Sequence, residues 1–108
     1  MFIGKVVGTV VSTIKDEKVV SLKFQVVQEL DENAKPRNKY VVAADTIGAG
    51  QGDLVLFAQG SSARQTTLTD GRPIDAAIFA VIDSWDVEGA LIYQKEGLEV
   101  TSWDPAES

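Results

Sequence analysis

Two neighbouring stretches hold residue types at spacings that chemistry uses. Asp45-Thr46-Ile47-Gly48-Ala49-Gly50-Gln51-Gly52-Asp53 places glycines at alternate positions between two carboxylates. A glycine-dense loop of this kind can bring backbone amides close to a phosphate. After the apolar run Leu54 to Ala58 comes Gly60-Ser61-Ser62-Ala63-Arg64, two hydroxyls followed by a cation. That segment has the outline of a nucleophile on a tight turn.

Neither spacing completes its chemistry. A dinucleotide fingerprint needs G-x-G-x-x-G opening a helix, whereas Gly48, Gly50 and Gly52 lead into an apolar run of strand character. A phosphate loop of the Walker type ends in Gly-Lys-Ser/Thr, and this one ends in Gly52-Asp53, whose carboxylate would repel phosphate. A nucleophile elbow needs a glycine two places beyond the serine and a histidine elsewhere; Arg64 occupies that place after Ser62, and the chain has no histidine. The glycine loop therefore reads as a tight turn between two strands. Arg64 reads as a hydrogen-bond donor to carboxylates or carbonyls of a neighbouring loop or chain.

The remaining polar groups point the same way. Asp16 with Glu17, Asp31 with Glu32, and Asp104 with Glu107 lack the spacing of a calcium loop and read as solvated loop charges. Trp85 and Trp103 read as core or interface anchors rather than base-stacking platforms. Without cysteine there are no disulfides or thiolate metal sites, and without histidine the Ser-His and Cys-His systems fall away. The totals lean away from an enzyme, and no cofactor or metal is expected. A net charge of −6, from sixteen acids and ten bases, argues against a nucleic-acid partner. No apolar run has the length of a membrane span, and Met1 to Val11 lacks the basic start of a signal peptide.

The elements that position the two stretches are strands. At 108 residues one domain is expected. Ile3 to Val11 reads as a strand kinked by Gly4 and Gly8, and Val19 to Gln28 as a second. In the second, Val20, Leu22, Phe24 and Val26 share one face, with Lys23 and Gln25 on the polar other. Glu29 to Lys39 reads as a loop and Tyr40 to Ala44 as a third strand. Leu54 to Gln59 is a fourth, its continuous apolar run predicting cover on both faces. Ser61 to Arg72 is a polar excursion, and a short helix is expected at Pro73 to Ala77. Ala76 to Ser84 reads as a fifth strand, Val87-Glu88-Gly89 as a turn and Ala90 to Gln94 as a sixth strand, with a further small strand at Leu98 to Trp103. Five or six short strands with turns at this spacing predict an all-β chain forming a small barrel or a sandwich, and closure to avoid exposed edges favours a barrel of the oligonucleotide/oligosaccharide-binding (OB-like) kind.

Five segments in order then resemble a known family. They are Lys5 to Thr13, Val26-Val27-Gln28, Ala44 to Gly50, Gly60 to Arg64, and Pro73-Ile74-Asp75-Ala76 with Val81-Ile82-Asp83. Together they resemble the EutN/CcmL family, the vertex proteins of bacterial microcompartment shells. The resemblance runs over residues 1–95, taken as the barrel domain, and leaves 96–108 as a C-terminal extension. It implies a five-stranded barrel that assembles as a cyclic homopentamer, in the cytoplasm, at the vertices of a shell of hexameric proteins. The role implied is structural, not enzymatic. A stand-alone barrel binding a small ligand or nucleic acid is the competing reading. A ring crowds small residues near its axis, so Asp45, Gly48, Ala49, Gly50, Gly52, Gly60, Ser61, Ser62, Ala63 and Arg64 are expected at the subunit interface and axial loops.

Overall fold

The structure is a computed structural model that describes residues 1–11, 23–60, 63 and 75–95. Strands β1 (Phe2–Val10), β2 (Lys23–Leu30), β3 (Pro36–Asp45), β4 (Leu54–Gln59) and β5 (Ala76–Val81) close into a barrel in the order β1-β2-β3-β5-β4. All pairings are antiparallel except β3 with β5, where Ala44 faces Ala77. Closure leaves the barrel without an unpaired edge. A separate hairpin follows, β6 (Ser84–Val87) and β7 (Ala90–Gln94).

Val6, Val27, Ala43, Val55, Phe57, Ala76 and Ile78 fill the interior, and none exceeds 5% exposure. Gly4 sits among them for lack of room. A Cβ there would collide with Val27 Cγ1 and lie 2.8 Å from Phe57 Cε1. On the outward side two smaller clusters form. Ala44 and Ala77, paired across β3 and β5, are covered by Ala63, with Phe24 and Phe79 packed alongside. Leu30, Leu54 and Ile82, with Ile3 and Leu56, are covered by Trp85 and Tyr93 of the hairpin. Trp85 also donates its Nε1–H to the Glu32 carbonyl at 2.9 Å, fastening the hairpin to the β2–β3 connection.

Several boundaries differ from those the sequence predicts. The loop expected at Glu29 to Lys39 is only Asp31–Lys35, because Asp31 closes it alone: its Oδ1 accepts the amides of Asn33 (2.8 Å) and Lys35 (2.9 Å). Pro36 is the first residue of β3, where its missing N–H costs least. Ala76 and Ala77, which the sequence places both at the end of a short helix and at the start of the fifth strand, open β5 as the strand reading has it, since ladders with β3 and β4 claim their backbones; no α-helix occurs among the described residues. Ser84 and Trp85 start a new strand rather than ending the fifth, after Ile82 N–H makes its bond to the Leu54 carbonyl at 2.7 Å.

The facing of β2 carries a further difference. The side chains buried in the barrel are Gln25, Val27 and Glu29, at 5%, 0% and 8% exposure, while Phe24 and Val26 point outward and are half-buried. The polar face is the inner one. Pro73, Ile74, the strand expected at Leu98 to Trp103 and the extension 96–108 lie outside the described residues.

Candidate functional site

The glycine loop follows β3 directly, and Asp45 at its root organises it. Asp45 Oδ1 accepts the amides of Ile47 (3.1 Å), Gly48 (2.8 Å) and Ala49 (3.1 Å). These are the converging amides that a phosphate would need, and the chain's own carboxylate already fills them. The other oxygen, Oδ2, accepts from Gln25 Nε2 at 3.3 Å, and the same amide nitrogen donates to the Ala49 carbonyl at 3.0 Å. Gln25 Oε1 in turn accepts from Thr9 Oγ1 at 3.1 Å. One hydrogen-bonded chain thus ties β1, β2 and β3 to the loop, which explains why a glutamine lies inside the barrel.

The far half of the loop is locked separately. Asp53 Oδ2 accepts the Gly50 amide at 2.8 Å, and the Asp53 amide donates to the Gly50 carbonyl at 3.1 Å. Gly52 N–H reaches the Val6 carbonyl (2.8 Å) and Val6 N–H reaches the Asp53 carbonyl (2.9 Å), stitching the loop to β1. Gly48 and Gly52 adopt φ of 78° and 88°, where an L side chain is strained. No atom comes within 4 Å of a Cβ placed on either, so within the protomer backbone conformation and not crowding calls for glycine.

The expected site residues therefore divide by placement. Gly48, Gly50, Gly52 and Gly60 are exposed, whereas Asp45, Ala49 and Ala63 are buried inside the protomer. Ser61, Ser62 and Arg64 lie outside the described residues. Gln25 belongs to the same hydrogen-bonded network and stands on the face of β2 that the sequence reads as polar. Its partners Asp45 and Ala49 are 20 and 24 residues away in sequence, so no local pattern marks it.

Glu29, near the other end of β2's inward face, forms the second buried polar group. Its side chain is 10% exposed, with Arg37 Nε at 3.6 Å and Lys39 Nζ at 3.9 Å. Oε1 is buried and accepts no hydrogen bond. An open cleft of about 260 Å³ lies beside it, walled by Met1, Phe2, Ile3, Leu30, Asp31, Glu32 and Arg37. Lys39 also lies over the Phe2 ring, 5.4 Å from its centroid, and that ring stacks on Phe57. Among the described residues no three acidic, histidine or cysteine side chains converge on a metal position.

Together these features define a small closed β-barrel whose glycine loop is a structural clasp, with a hairpin fastened to its outer wall. The chain belongs to the EutN/CcmL family, whose model, described as ethanolamine utilisation protein EutN/carboxysome, matches residues 1–83. The carboxysome shell vertex protein CcmL of Synechococcus elongatus is 47% identical over 95 residues, which span 88% of this chain and 96% of that protein. The solved structure of CcmL from Gloeobacter violaceus aligns with a TM-score of 0.83 at 44% identity, covering 89% of this chain and 99% of the other. GrpN, a pentameric microcompartment shell protein from Rhodospirillum rubrum, aligns with a TM-score of 0.73 at 42% identity, covering 81% and 99%.

Proposed function

We propose that this protein is a structural subunit that assembles as a cyclic pentamer and caps the vertices of a polyhedral bacterial microcompartment shell in the cytoplasm. The observation that carries the reading is likeness along nearly the whole length of shell vertex proteins, one of them a solved pentamer. A flat layer of hexameric tiles closes into a polyhedron only at five-fold points, so the partners of such a ring are those tiles. Five chains carry 5 × −6 = −30 formal charge, which makes any complementary contact with the tiles a local matter.

A non-enzymatic role fits the chemistry of the barrel. The loop amides, the converging donors an anion would need, are occupied by Asp45. The net charge weighs against a stand-alone barrel that binds nucleic acid. In this reading residues 1–95 are the assembling unit and 96–108 a tail. The exposed Gly48, Gly50, Gly52 and Gly60 approach a neighbour, while Asp45, Ala49 and Ala63 hold those loops from within. Ser61, Ser62 and Arg64 complete the set, with Arg64 reaching a neighbour's carbonyl or carboxylate.

Native mass measurement at micromolar concentration tests the ring: a five-fold species is expected, and a single-chain mass would refute it. Imaging shells produced with and without this chain tests the vertex role, with open or misshapen shells expected in its absence. Closed shells without it would count against that role.

A further inference from the structure

The open cleft beside Glu29 holds a carboxylate whose hydrogen bonding is incomplete. Glu29 lines the cleft, yet the residue is only 8% exposed. A charge that deep ordinarily takes short hydrogen bonds from its counter-ions. Here both stop short. Arg37 Nε stands 3.6 Å from Oε2 and Lys39 Nζ stands 3.9 Å from Oε1, beyond hydrogen-bond length. Both cations are half-exposed, so water competes for their donors. Oε1 is left buried with no donor of its own.

The rest of the cleft describes the group that would supply one. Asp31 and Glu32 also line it, so its walls carry three carboxylates against the Arg37 guanidinium and the Met1 amine, −3 + 2 = −1. Met1 and Phe2 add an apolar wall, 71% and 37% exposed. Among the described residues no three acidic side chains converge on a metal position, so a bare metal ion would lack its cage. A compact cation with several N–H donors and a short hydrocarbon stem suits both walls. The Glu29 carboxylate can turn about its last torsion, a soft one, to bring Oε1 toward such a donor. The acidic wall is set in place beforehand: Asp31 closes its own turn, and the Glu32 carbonyl is held by Trp85 Nε1.

We propose that this cleft is a binding site for a primary alkylammonium group, received by the Glu29 carboxylate, with the stem lying on Met1 and Phe2. The site belongs to the protomer and does not depend on the pentameric reading. A free organic amine and a lysine side chain of another protein share this chemistry.

Met1 is the chain's single methionine and stands in the cleft wall, so an isotope-labelled methionine methyl gives one NMR reporter at the site. The protein, as it assembles and untagged at its N-terminus, is titrated with n-butylammonium chloride, with n-butanol and with potassium chloride at matched ionic strength. A saturable shift of the Met1 methyl is expected with n-butylammonium alone. Glu29→Gln should weaken that binding about tenfold or more, as loss of a hydrogen bond to a charged acceptor does. Glu88→Gln removes the same charge in the β6–β7 turn, outside the cleft, and should bind as the parent does. Nα-acetyl-lysine amide stands in for a protein lysine: tighter binding than n-butylammonium supports the site with a protein as its source, and weaker binding supports it with a free amine. An equal response to n-butanol marks a merely apolar dent, and an equal response to potassium marks general screening; either would overturn the proposal. So would the absence of a saturable shift, or unweakened binding by a Glu29→Gln protein that circular dichroism shows to be folded.

Discussion

Replacing Asp45 with alanine is the most direct test of the loop clasp. The carboxylate accepts three backbone amides and one side-chain amide while only 7% exposed. On its removal, Ile47 and Gly48 can turn their N–H groups to water, since both residues are exposed. The Ala49 amide cannot, because Ala49 is 6% exposed and packed into the barrel core. One stranded buried donor costs about 1–3 kcal/mol, and the lost bonds to a charged acceptor add to it, so about 2–4 kcal/mol is expected in total. At about 4–8 °C per kcal/mol for a small domain, Tm should fall by roughly 8–32 °C. Asp45→Asn keeps an acceptor for the loop amides but sets its own NH2 against Gln25 Nε2 and loses the charge, so about 1–2 kcal/mol is expected, less than for Asp45→Ala. The assay is urea unfolding of all three proteins at two fixed protomer concentrations, so that assembly and folding are separated. Amide exchange at Ala49 gives the local readout, and it should accelerate in Asp45→Ala more than exchange at Val27 does. A cost below about 0.5 kcal/mol, the level of an ordinary surface substitution, with unchanged Ala49 exchange would refute the clasp.

Three further outcomes follow from single residues. Gly4→Ala should destabilise by about 1–3 kcal/mol, because its Cβ meets two fully buried side chains in a packed interior; a midpoint unchanged in urea would contradict that packing. Glu88 and Gly89 both have positive φ, 51° and 83°, in the two-residue turn between Val87 and Ala90. Glu88→Asn should relieve strain and gain about 0.5–1 kcal/mol, measured as a raised Tm, whereas a lowered Tm would argue against this turn geometry. The Lys35 amide, then the Asn33 amide and the charges of Arg37 and Lys35, hold the Asp31 carboxyl below its ordinary 3.8 despite an opposing desolvation effect. A depressed value means the turn's stabilisation is present above that ordinary value and is lost as pH falls through the lower folded value. Carboxyl titration by NMR should place the Asp31 midpoint below 3.8, and a midpoint at or above it would remove the turn's acid sensitivity.

How much of this could be read along the chain depended on where each residue's partner lies. The span of β4, Leu54–Gln59, is legible because a continuous apolar run marks a strand covered on both faces, and it is covered by the barrel interior on one and by chain segments on the other. The same local logic misplaces β2. Alternation puts Phe24 and Val26 on an apolar face and Gln25 on a polar one, yet Gln25 and Glu29 are buried. Gln25 meets Thr9, Asp45 and Ala49, and Glu29 meets Arg37 and Lys39. Pro36 to Lys39 reads as loop because its residues are turn formers, but pairing with β2 draws it into β3. The glycine loop was legible as a turn and not as a clasp, since the three amides held by Asp45 do not appear in composition.

By itself the sequence determined the class and the kinship: strands short enough and turns frequent enough for a small barrel, and five ordered segments that resemble one family. It also closed off histidine and cysteine chemistry, because those residues are missing. Only the tertiary structure decided what the conspicuous glycines do, since φ and hydrogen bonding at Gly48 and Gly52 depend on a carboxylate and a strand that folding brings to them. It likewise decided which face of β2 is inside. Alternation fixes only that successive side chains part company, and the side that meets the core is chosen by the partners across the barrel.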